Sequence, residues 1–142
     1  MKNKYALAIS VGIIMLIISM ALSMLLTMTF PSLQAEYETP AFRPWDDPLM
    51  SLFFLYPIVL GIVLTYLWFK TRSSWKNGLD FGIAFGILMS VPMFIVNYSS
   101  FNFSLLMVGS WTVFGFINVL VAGMVLEKLG GLTPPSFFHL LL

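Results

Sequence analysis

The sequence predicts an all-α integral membrane protein: a four-transmembrane-helix bundle with both termini cytoplasmic. Hydrophobic residues make up 59% of the chain and charged residues 9%, against about 25% charged in a soluble domain. Four apolar runs, near residues 5–30, 49–69, 79–98 and 103–126, fill most of the 142 positions. Each is close to the roughly 20 residues that cross a bilayer, and none carries an ionised side chain in its middle. The whole chain, 1–142, therefore reads as one membrane domain, with an outer loop at 31–48, an inner loop at 70–78 and a short tail at 129–142.

The first run follows Lys2 and Lys4, a basic start that a signal peptide would share. Its apolar stretch exceeds the ~7–15 residues of a signal core. Leu33 also stands where a cut after Ala35 would want a small residue. A permanent anchor is expected. At about 1.5 Å per residue it gives ~39 Å of helix, so it must tilt or project beyond the hydrocarbon.

Orientation follows from the basic residues, which concentrate on the cytoplasmic side of membrane proteins. Lys2, Lys4, Lys70, Arg72, Lys76 and Lys128 fall on one side of the four spans. The other side has Arg43 alone, beside Glu36, Glu38, Asp46 and Asp47. Both termini are expected in the cytoplasm of a multi-pass cell-membrane protein.

In the outer loop, Asp47 before Pro48 has the form of a helix N-cap followed by proline at the first helical position. Trp45 suits headgroup depth. The same segment gathers Arg43, Trp45, Asp46 and Asp47. With Asn97, Tyr98 and Trp111 from the opposite hairpin, these would form an aromatic, hydrogen-bonding rim for a lipid headgroup or small solute. Capping is the preferred reading of the Asp-Pro pair, because it needs no ligand.

The short inner loop predicts that spans two and three are antiparallel neighbours. The shorter, uncharged segment 99–102 ties spans three and four into a hairpin. Asn97 and Asn102 each begin an Asn-x-Ser triplet, but they lie too near the membrane to be convincing glycan acceptors. Gly130-Gly131 is expected to stop the last helix. The apolar tail should rest on the inner membrane surface, and its His139 has no acid nearby to make it catalytic.

Helices in lipid associate through close packing and interhelical hydrogen bonds, so small residues mark their seams. Span three carries Gly78, Gly82, Gly86 and Ser90 at four-residue spacing. Span one has Ser19, Ser23 and Thr27, with Gly12 earlier, and span four has Gly115 and Gly123 on one face. These faces suit interior seams or contacts between protomers. Pro57 and Pro92 should kink spans two and three at similar depth, adjusting their packing.

Exclusions follow from what is missing. Without cysteine there is no disulfide, thiolate site or thiol redox chemistry, which removes the quinone-linked disulfide enzymes built on four-helix bundles. No basic stripe suits nucleic acid. Coupled transport usually needs an acid or base within the membrane; here Asp80 and Glu127 sit at span ends, and the most deeply placed strongly polar residue is Asn118. Small multidrug transporters also have four spans, but rely on a glutamate in the first, where this chain has no acid. No paired acid and histidine and no Gly-x-Ser-x-Gly is present for hydrolysis. No enzyme and no cofactor is expected.

Ten methionines remain. Met20, Met24 and Met28 are four apart on span one, and Met89 and Met93 four apart on span three. Thioethers are soft ligands for Cu(I), and Met-x-x-x-Met is similar to the motif of eukaryotic high-affinity copper transporters. That resemblance covers only these spacings: the family has three spans per protomer and methionine- or histidine-rich outer tails, both lacking here. Methionine also fills apolar cores adaptably. The sequence thus points to a non-enzymatic membrane component acting through helix association, as a homo-oligomer or with another membrane protein. The alternative is a small uncoupled transporter or channel for an uncharged solute or soft metal ion, with a path lined by Ser19, Ser23, Ser90 and Asn118.

Overall fold

The computed structural model describes residues 4–131, which contain helices, turns and no strand. Five α-helices follow one another: α1 (Lys4–Thr29), α2 (Pro31–Tyr37), α3 (Ser51–Thr71), α4 (Gly78–Ser100) and α5 (Leu105–Gly130). Single 3-10 turns, Pro48–Met50 and Arg72–Ser74, flank α3. With those turns, α3 joins α1, α4 and α5 as a helix long and apolar enough to cross a membrane. Lys2, His139 and the rest of the tail from residue 132 lie outside the described residues.

Local chemistry sets the helix ends. Asp47 Oδ1 accepts from the Leu49 N–H at 2.8 Å, with Pro48 next to it, as the Asp-Pro pair predicts. Asn77 caps α4 through the Asp80 N–H at 2.8 Å, and Ser104 caps α5 through the Met107 N–H at 3.1 Å. Past α5, Gly131 adopts φ 70°, a left-handed backbone that side chains avoid, while its N–H returns to the Glu127 carbonyl. Helices α3 and α4 run unbroken through Pro57 and Pro92. Pro57 is buried beside α1 and Pro92 is exposed.

The main packing pairs are α1 with α3, α4 with α5, and α1 with α5; α3 touches α5 more lightly. This corrects the expectation that spans two and three are neighbours. The inner loop joins α3 to α4, but their backbones do not pack; aromatic rings bridge them, Trp68 to Phe81 at 5.3 Å and Trp75 to Phe81 at 5.6 Å. The reason lies in the small residues, which face elsewhere. A Cβ on Gly61 would lie 2.6 Å from the Gly12 Cα, and one on Gly12 2.6 Å from the Ile58 Cα. Backbone therefore meets backbone where α1 crosses α3.

The ladder on α4 faces α5 throughout. Gly78 abuts the Gly123 carbonyl, Gly82 the Leu120 backbone and Gly86 the Phe116 ring, while Ser90 Oγ lies opposite Gly115. Of the two roles open to these residues, interior seam or protomer contact, the structure uses the first.

The N-terminal ends of α1 and α4 and the C-terminal ends of α3 and α5 meet at one end of the bundle. Gly130 there touches Leu7, Trp68 and Phe69. This is the basic end, with Lys4, Lys70, Arg72, Lys76 and Lys128. The apolar core lies toward it, built on Leu7, Val11, Met15, Leu64, Trp68, Phe81, Val119, Ala122 and Leu126. Toward the opposite, loop end, burial thins. Every residue from Ser51 to Tyr56 is exposed.

Candidate functional site

At the loop end, the chain leaves α1 at Phe30 and starts α2 with Pro31 in its first turn. Leu33 is buried, and Tyr37, one turn on, reaches α5. The Trp111 indole N–H donates to Tyr37 Oη at 2.6 Å, and Glu36 Oε2 accepts from the Ser104 N–H at 3.2 Å. Phe42 and Phe103 complete an aromatic cap: Phe42 stacks on Phe103 at 5.0 Å and meets Trp111 edge-on at 6.1 Å. Burial pushes the Tyr37 phenol above its ordinary pKa, opposed by the Trp111 hydrogen bond and reinforced by the Glu36 charge.

The rim expected from sequence is only partly assembled. Trp111 joins the loop, but through Tyr37 and Phe42. Arg43 instead pairs with Asp47 at 2.8 Å, one turn along its own segment, while Trp45 and Asp46 are exposed. The Leu49 N–H first, and the Arg43 guanidinium second, hold the Asp47 carboxyl below the usual carboxylate range. Asn97 donates to the Met93 carbonyl of its own helix, and Tyr98 stacks on Phe94 at 5.6 Å. Two clefts of about 350 and 230 Å³ flank the loop. Both are partly open to the surface. Tyr37, Phe42 and Phe103 were the residues sequence reasoning missed; the aromatic spacing from 37 to 42 and at 101, 103 and 111 was their only signal.

The five methionines at four-residue spacing do not converge on the interior. Met20, Met24, Met28 and Met93 lie on the outer surface, between 43% and 67% exposed, whereas Met89 packs against the core. A soft-metal site needs thioethers facing one another, and this arrangement points most of them outward. Among the described residues, no group of three or more His, Cys, Asp or Glu side chains is placed to hold a metal.

The interior polar groups are only partly satisfied: Ser90 Oγ and Asn118 Oδ1 have no hydrogen-bond partner. Asn118 Nδ2 donates to Ser19 Oγ at 2.9 Å, tying α5 to α1, and to the Phe114 carbonyl at 3.0 Å. Ser90 is buried against α5 and Ser23 is exposed. The residues of the expected solute path are thus divided among a helix tie, a packing seam and the outer surface.

At the basic end, Glu127 Oε2 accepts from the Gly78 N–H at 2.8 Å, so a side chain of α5 caps α4. Asp80 Oδ2 accepts from the Lys76 N–H at 3.4 Å. Both carboxylates thereby sit where the positive end of a helix dipole favours them. Arg72 is different. It is 3% exposed, donates through Nη1 to the Gly131 carbonyl at 3.2 Å, and lies over the Phe69 ring at 5.2 Å. Its Nε and Nη2, and Nε1 of the fully buried Trp68, have no hydrogen-bond partner. An unmet buried donor costs about 1–3 kcal/mol, and more on a charged group. Sequence reasoning used Arg72 only for orientation, and nothing in the sequence sets it apart from Lys70 or Lys76.

Comparison with protein-family models, curated proteins and solved structures finds no match to this chain.

Proposed function

We propose that this chain is a multi-pass component of the plasma membrane with both termini cytoplasmic, acting without catalysis by associating with other transmembrane helices. The partner helices belong to further copies of the chain or to a membrane protein that it serves. Four helices long and apolar enough to span support the membrane placement. The concentration of Lys and Arg at one end supports the orientation.

The observation that carries the association reading is the start of α3. Six consecutive exposed residues, Ser51 to Tyr56, cover more than one full turn, so no face of this segment is buried within the chain. From Pro57 onward the same helix shows an ordinary buried stripe at Pro57, Gly61, Leu64, Thr65 and Trp68. Leu52, Phe53, Phe54 and Leu55 are large apolar side chains, 42–56% exposed. They offer dispersion contacts, but no chemistry, to an adjoining helix.

A photo-crosslinking amino acid placed in turn at Leu52, Phe53, Phe54 and Leu55, in native membranes, tests this. Protein adducts are expected from Leu52 and Leu55, three residues apart on one face, and lipid adducts from the others. Adducts with lipid alone at all four positions would remove the proposal.

A further inference from the structure

We infer that Arg72 and Trp68 form a binding site for the phosphate of an anionic phospholipid headgroup at the basic end of the bundle. The inference rests on the membrane placement proposed above, but not on helix association. Three buried N–H groups stand there without acceptors: Nε and Nη2 of Arg72 and Nε1 of Trp68. The two residues are one helical turn apart, so they share a face. Both border the C-terminal end of α5: Gly130 lies beside the Trp68 indole nitrogen, and the Gly131 carbonyl takes Nη1 of Arg72.

The chemistry of the missing partner follows from this donor set. All three groups donate and none accepts, so the complement carries acceptor oxygens only. Nε and Nη2 share one edge of the planar guanidinium, the edge that grips two oxygens of a carboxylate or phosphate together. Nη1, on the other edge, is the nitrogen the backbone already uses. The charge also selects an anion. Glu127 and Asp80, the acids at this end, are turned toward the start of α4.

Phosphate is favoured over carboxylate by position. Arg72 lies just past α3, at the end of the second of the four long apolar helices, where a span of this length reaches the headgroup layer. Lys4, Lys70, Lys76 and Lys128 at the same end add long-range attraction for an anionic leaflet. Basic pockets between helices on the cytoplasmic side are suited to such headgroups.

The test uses the full chain in nanodiscs of phosphatidylcholine doped with phosphatidylglycerol, released from its lipid and read by native mass spectrometry. One phosphatidylglycerol per chain should survive release from the wild type. Trp68→Phe, which keeps the ring and loses the N–H, should lower retention severalfold. Arg72→Lys, which keeps the charge and loses the fork, should lower it by about tenfold. Circular dichroism of each variant checks that the helices persist, and Trp68→Phe keeps the test decisive if Arg72→Lys unfolds. Equal retention by wild type and folded variants, or no retention by wild type, would overturn the site. Displacement of the lipid by millimolar inorganic phosphate would overturn the lipid assignment in favour of free phosphate. Failure of the chain to enter nanodiscs at all would instead count against the membrane placement.

Discussion

Asp47 shows how one side chain resolves between a cap and a ligand site. Its two oxygens are both engaged within its own segment, Oδ1 by the Leu49 N–H and Oδ2 by Arg43, which accounts for the carboxylate without a ligand. Because these bonds favour the ionised form, the folded pKa lies below the unfolded one. The sign follows: the stabilisation is present above about pH 3.9, the ordinary carboxylate value, and disappears as pH falls through the lowered folded value. Hydrogen exchange should therefore show the Leu49 amide protected at neutral pH and losing protection below that point. Asp47→Ala should remove the protection across the whole range; equal protection in the two proteins would show that the cap does nothing. Asn118 makes the same point in the apolar interior. Its amide nitrogen is used by Ser19 on α1 and by its own helix, so this buried side chain serves as a tie between α1 and α5.

At the scale of the helices, the close crossings make a sharper prediction than hydropathy can. A methyl on Gly78 would run into the Gly123 carbonyl and lie 2.8 Å from Glu127 Cβ, whereas one on Gly109 would meet nothing within 4 Å. Gly78→Ala should cost about 1–3 kcal/mol by overpacking. Gly109→Ala should be neutral, or stabilising by up to about 1 kcal/mol through helix propensity. Denaturation in mixed detergent micelles, followed by helix content, separates the two. The glycine ladder was legible because four small residues on one face need a close partner. Which helix supplies that partner was not, since spacing within a helix carries no information about its neighbour. Helix α2 was missed although Pro31, Leu33 and Tyr37 carry its signal: a proline start and two side chains one turn apart. Seven residues between a long apolar run and a polar loop are too few for periodicity to stand out. Gly61 was overlooked because its spacing to Pro57 and Thr65 places no other glycine on that face of α3.

For the whole molecule, the four long helices were legible from composition alone, because a chain so poor in charge cannot cover itself against water. Helix order was not, because loop length constrains which ends are close but not which faces meet. The absence of cysteine makes orientation directly testable by single introduced thiols. Ala41→Cys in the loop between α2 and α3, and Ser73→Cys in the turn after α3, both replace exposed residues. An impermeant maleimide applied to intact cells should label the first and spare the second until the membrane is opened. The reverse pattern would invert the proposed topology. The order of packing also bears on how the protein is made. Helix α1 has α3 on one flank and α5, the last of the described helices, on the other. Helix α5 is translated after α1 and α3, so the flank of α1 that it covers stays bare until α5 is made. Until then α3 is the main neighbour of α1, met at the close Gly12–Gly61 crossing.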